Sequence, residues 1–132
     1  MKFICLGYAD PKLFATTPEK EMHAMMDRCF TYDDHLRANG HFTGGHALQP
    51  PSAGMLLRCV NGKVVATDGP FTETKEQIGG ILILEARDLN HAVELISRHP
   101  GVTFGPWEIR PAADLDEMMR LSAVRRGLPA AQ

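Results

Sequence analysis

Gly79-Gly80-Ile81-Leu82-Ile83-Leu84-Glu85-Ala86 decides the fold of this chain, because apart from Glu85 every position in it is apolar or small. A strand sends alternate side chains to opposite faces, so one that is apolar on both faces must be covered on both. That places the segment at the centre of a sheet. Directly before it stands Asp68-Gly69-Pro70-Phe71-Thr72-Glu73-Thr74-Lys75-Glu76-Gln77-Ile78, a turn-forming tetrapeptide followed by a charged connection.

Working outward, the runs Gly54 to Val60 and Lys63 to Asp68 are joined only by Asn61-Gly62, a pair that tolerates the positive φ angles of a tight hairpin turn. His41 to Leu48 alternates, with Phe42, Gly44, His46 and Leu48 on one face, and Gln49-Pro50-Pro51-Ser52 ends it. Upstream, Lys2 to Tyr8 reads as a first strand closed by Ala9-Asp10-Pro11, and Thr17-Pro18 starts a long helix ending at Asn39-Gly40. Its apolar stripe is Met22, Met25, Met26, Cys29, Phe30 and Leu36. Downstream, Asp88 caps a second helix with the stripe Leu89, Ala92, Val93 and Ile96, which ends at His99-Pro100-Gly101. Trp107 and Ile109 alternate with Glu108 and Arg110 in a last strand, and Leu115, Met118 and Met119 lie at helical spacing in the tail.

This order of elements is a split βαβ arrangement with an extra β-hairpin, an α+β fold. Two helices cover one face of such a sheet. The apolar second face of the central strand therefore calls for a second copy, and a homodimer with its sheets facing each other is expected.

The 132 residues suit one domain, and 44% hydrophobic with 23% charged residues is the composition of an ordinary globular chain. A net charge of -2 offers no footprint for nucleic acid, and no apolar run approaches the roughly 20 residues of a membrane helix. Cys5, Cys29 and Cys59 form neither a disulfide framework nor a zinc pair, so a cytoplasmic location is expected, and with each on an apolar face they read as buried, inert thiols rather than nucleophiles. Metal-ligand spacing, a phosphate loop and a nucleophile elbow are all missing from the sequence, so no metal and no cofactor are expected.

Acid–base chemistry is the alternative, and three residues are candidates for it. Asp68 ends a hairpin face that is otherwise apolar, where desolvation turns a carboxylate into a general acid or base; its plain reading is a turn former ahead of Gly69 and Pro70. Asp33 sits inside the apolar stripe of the first helix and needs a partner there, unless the helix end is solvated. His46 shares a strand face with Phe42 and Leu48, as a proton shuttle or as a hydrogen-bonded core residue. Tyr8 and Phe71 are candidate binding walls, and Glu73 and Lys75 are candidate substrate contacts or a solvated connection. The remaining histidines are weaker candidates, with His99 at the end of the second helix, and most of them read as surface groups.

The segment Asp68 to Gly80, with Gln49-Pro50-Pro51 and Asn61-Gly62-Lys63-Val64 before it and Glu85-Ala86-Arg87-Asp88-Leu89 after it, resembles the YCII-related proteins, in particular their DGPF subgroup. The resemblance spans residues 1–111 and leaves 112–132 as a C-terminal helical tail. It implies a ferredoxin-like fold of the dimeric α/β-barrel type. It also implies a small cofactor-independent enzyme acting on a small polar or aromatic molecule, one relative being a dehydrochlorinase of a substituted hydroquinone. The alternative it implies is a non-catalytic ligand-binding or protein-interaction module linked to sigma factors. Some relatives use a His/Asp pair whose histidine lies on the helix; neither His23 nor His35 matches that place, and only Asp68 carries over from the motif.

Overall fold

The computed structural model describes residues 1–69 and 75–129. In chain order its elements are β1 (Lys2–Ala9), α1 (Pro11–Thr16), α2 (Glu19–Ala38), β2 (Phe42–Ala47), β3 (Met55–Val60), β4 (Lys63–Asp68), β5 (Gln77–Glu85), α3 (Leu89–Ser97), β6 (Trp107–Pro111) and α4 (Leu115–Arg125). Four strands form an antiparallel sheet in the order β2-β5-β1-β6. With α1, the hairpin and α4 set aside, this is β-α-β-β-α-β with the first and third core strands at the centre, the ferredoxin-like α+β arrangement.

The apolar run 79–86 takes the central place its composition demands. Leu82 and Leu84 face α2 and α3, opposite Cys5 and Phe3 of β1. These four pack with Leu36 of α2 and with Ala92 and Ile96 of α3 into the buried core. Ile81 and Ile83 alternate to the other face, where they stand opposite Leu6 and Ile4.

Helix boundaries follow local chemistry. Asp88 accepts from the His91 amide and caps α3, and Gly40 at φ 77 follows α2 in the left-handed conformation that ends a helix. One boundary differs from the sequence reading. Asp10-Pro11 starts the short α1 as well as ending β1, because the Asp10 carboxylate accepts from the Lys12 amide and Pro11 needs no amide partner there. The Thr17 hydroxyl then donates back to Leu13, so α2 begins at Glu19 without a side-chain cap.

The hairpin forms as its turn residues require, with Asn61 at φ 50 and Gly62 at φ 80. Among the described residues its strands pair only with each other, from Met55 opposite Asp68 to Val60 opposite Lys63. It is an arm beside the main sheet, and Leu56 is its only residue that is not exposed. That corrects the expectation for Cys59: Cys5 is buried and Cys29 half-buried, but Cys59 is exposed on the arm.

Candidate functional site

Asp33 lies one helical turn before the buried Leu36, so α2 turns its carboxylate toward the sheet rather than into solvent. It meets His99. The imidazole Nε2 is 2.9 Å from Asp33 Oδ1, and the two side chains are 5% and 18% exposed respectively. His99 follows α3 and opens the 3-10 turn Pro100–Thr103, where its Nδ1 accepts from the Gly101 amide at 2.9 Å. An amide can only donate, so Nδ1 is unprotonated and the ring hydrogen sits on Nε2, donating to Asp33. Both ring nitrogens are thereby engaged within the protein.

Packing also holds the ring. Tyr32 meets it edge-on with centroids 5.6 Å apart, and Trp107 lies against it at 5.0 Å. The indole in turn sits over Gly7, where an added Cβ would come within 2.8 Å of Cζ2. At Gly101 a Cβ would approach His99 Nδ1 to 2.9 Å, so the close pairing of amide and imidazole requires glycine there. Tyr32 is tied down through its hydroxyl, which donates to the Leu95 carbonyl at 2.6 Å, and burial pushes its phenol upward from the ordinary value. Burial, and then the Asp33 carboxylate, push the Cys29 thiol up as well.

Asp33 and His99 line a cavity of about 350 Å³ between α2 and the sheet, within the size range of small-molecule sites. Phe30, Phe42 and Trp107 supply aromatic walls, while Gly45 and Gly80 leave part of the strand surface bare. Arg37, one turn beyond Asp33, stands at the same cavity; its guanidinium lies 4.4 Å above the Phe42 ring, and Nη1 donates to Asp34 at 2.8 Å.

The structure brings two of the sequence candidates, Asp33 and His46, to this cavity. They enter differently. The register of β2 shifts between Phe42 and Gly44, so Phe42 shares a face with Gly45, where an added Cβ would lie 3.1 Å from its ring. His46 thus alternates to the opposite face, across from Ile81, and borders the cavity from the edge strand. The simple alternation expected for His41 to Leu48 is broken by this bulge. Asp68 stands exposed at the root of the arm and is not among the cavity's lining residues. Tyr8 donates to Glu108 at 3.3 Å, and Lys75 is exposed; neither lines the cavity. Phe71 and Glu73 lie outside the described residues.

His99 is the residue that sequence reasoning missed. A histidine followed by Pro-Gly at a helix end reads as an exposed terminus, whereas the tight turn folds the ring inward. The one available signal was Asp33 itself, a carboxylate in an apolar stripe that required a partner. Among the described residues, no three His, Cys, Asp or Glu side chains gather as a metal site, and no helix is long and apolar enough to cross a membrane.

These features define a ferredoxin-like α+β protein with a carboxylate–imidazole pair set in the wall of a small cavity. The chain belongs to the YCII-related domain family, whose model matches residues 1–116. An uncharacterized protein of Rhizobium meliloti (strain 1021), R00369, is 30% identical over 118 residues, covering 86% of this chain and 93% of that protein. Among solved structures, the fold is similar to 5-chloro-2-hydroxyhydroquinone dehydrochlorinase from Burkholderia phenoliruptrix AC1100, in complex with 2,5-dihydroxybenzoquinone. That similarity has a TM-score of 0.52 at 15% identity and covers 86% of this chain and 94% of the other.

Proposed function

We propose that this chain is a small cofactor-independent enzyme that transfers a proton on, or eliminates a leaving group from, a planar hydroxylated ring bound between α2 and the sheet. Asp33 is its acid–base group and His99 its positioning residue. The observation that carries this reading is the engagement of both His99 nitrogens, Nδ1 by the Gly101 amide and Nε2 by Asp33. An imidazole so held has no lone pair to offer a substrate. The carboxylate keeps its second oxygen for one, with its orientation fixed by the Nε2 hydrogen bond.

The aromatic walls and bare glycine surface suit a flat ring, and Arg37 supplies positive charge beside Asp33 where a ring oxygen gains negative charge. In an elimination from the keto tautomer of the ring, in which the carbon bearing the leaving group carries a hydrogen and a neighbouring oxygen is a carbonyl, Asp33 accepts the proton of a remaining ring hydroxyl. The oxygen's electron pair becomes part of a carbonyl bond, and the leaving group departs with its bonding pair. The net change is loss of HX, and no oxidant or reductant is needed. The ring chemistry in the name of the dehydrochlorinase of similar fold supports this substrate class.

The test follows chloride release from 5-chloro-2-hydroxyhydroquinone, with wild type, Asp33→Asn and His99→Gln compared at equal concentration. Acceleration by the wild type and a loss of about 100-fold or more in Asp33→Asn are expected. A wild type that binds 2,5-dihydroxybenzoquinone but leaves chloride release at the blank rate would make the chain a binding module instead.

The same reading makes the protein a homodimer, closed over the sheet face that carries Ile81 and Ile83, and a resident of the cytoplasm, where Cys5, Cys29 and Cys59 stay reduced. Recovery in a periplasmic extract would contradict the location.

A further inference from the structure

A two-stranded ribbon alone in water is marginal at best, and this one is also apolar on its surface. Met55, Leu57 and Val64 are 64%, 66% and 72% exposed, and Val60 and Val65 are 48% and 43% exposed. The pairing of Leu57 with Ala66 and of Cys59 with Val64 puts Met55, Leu57, Cys59, Val64 and Ala66 on one face, with Asp68 at its root as that face's polar member. Such a face is an interaction surface rather than a solvated one.

We propose that the β3–β4 arm is the contact by which two copies of this chain hold each other, its Met55–Leu57–Cys59–Val64–Ala66 face covered by the partner. The area argument favours a second copy. A fully exposed Val, Leu or Met presents on the order of 100 Å² of apolar surface, so Met55, Leu57 and Val64 of this face present roughly 200 Å² per chain and two arms about 400 Å², to which Cys59 and Ala66 add. A specific interface needs about 1,000 Å² in total. A symmetric pair doubles whatever each chain offers, and each chain also carries the half-buried sheet face of Ile4, Leu6, Ile81 and Ile83, which adds to that area. This goes beyond the homodimer proposed above, because it assigns the contact to the arm and not to the sheet alone.

The experiment measures mass by light scattering from about 1 to 100 μM for wild type and for Leu57→Lys/Val64→Lys. Circular dichroism of the variant confirms that the main sheet is retained. A dimeric wild type and a folded, monomeric variant are expected. A folded variant that stays dimeric overturns the arm's role and leaves the sheet-face dimer standing; a wild type that is monomeric throughout overturns both. The second measurement needs no variant. Cys59 lies on the covered face, so its modification by a thiol reagent in the dimeric wild type is expected to be at least tenfold slower than that of a free thiol such as glutathione at the same pH. A rate matching that of glutathione contradicts the arm contact. Neither measurement depends on ligand, so failure here is distinct from failure of the chemistry at Asp33.

Discussion

Removing the acceptor at Asp33 leaves the His99 Nε2 hydrogen inside the protein without a partner. Asp33→Ala therefore separates a hydrogen-bonded pair from a mere neighbour. A hydrogen bond to a charged group contributes about 1.5–3 kcal/mol, and the lower half of that range applies because the Asp33 side chain keeps 18% of its exposure. Alanine also suits a helix better than aspartate by up to about 0.7 kcal/mol, which offsets part of the loss. The expected net cost is about 1.5 kcal/mol, or a fall in Tm of roughly 5–7 °C for a chain of this length. Asp33→Asn keeps an oxygen acceptor and the helix, so it is expected to cost about half as much or less. Urea and thermal unfolding of the three proteins in parallel give the answer. If alanine costs under about 0.5 kcal/mol, or asparagine costs as much as alanine, the pair does not hold His99 and the reasoning fails.

Three further outcomes follow from the packing. Gly7→Ala pushes a methyl group against the Trp107 indole, 2.8 Å away, and is expected to cost about 1–3 kcal/mol in urea unfolding. An unchanged midpoint would mean that the indole does not lie over Gly7. Gly105→Ala drives its methyl group into the Tyr8 carbonyl, a backbone group that cannot swing aside as a side chain can. It is expected to be the worse of the two, with loss of soluble protein or a larger fall in midpoint, and a variant as stable as Gly7→Ala would contradict the close approach. Burial raises the Cys5 thiol to about 11 from its ordinary 9.0, so between these values the unfolded chain gives up a proton that the folded one keeps. Stability is expected to fall as pH rises from about 9 to 11, and Cys5→Ala should flatten that slope; equal slopes in both proteins would show the thiol to be accessible.

The main architecture was legible because its signals are local. The two-sided apolar run 79–86, the Asn61-Gly62 turn and the Asp88 cap each fix geometry within a few residues, and each appears in the structure as read. Asp10-Pro11 carried an equally local helix-start signal, read only as the end of a strand. The site was less legible because it depends on distant contacts. Asp33 and His99 are 66 positions apart, and nothing in the periodicity of α2 names the partner that its buried carboxylate requires. The bulge between Phe42 and Gly44 reverses the side-chain alternation on which the reading of His46 rested, and in a glycine-rich strand no side-chain pattern marks where such a shift falls. Asp68 illustrates a third limit, since a residue at the end of an apolar hairpin face borders a core only if the hairpin packs on one.

Trp107 is the sole tryptophan and lines the cavity, so its fluorescence reports directly on whether a planar ring enters between α2 and the sheet. Titration with 2,5-dihydroxybenzoquinone is expected to quench it saturably in the wild type, and with at least tenfold weaker apparent affinity in Phe42→Ala, which lacks one wall of the slot. Linear quenching without saturation, the same in both proteins, would mean that the ring only collides with the surface, and the cavity beside Asp33 and His99 would lose its claim to be the site.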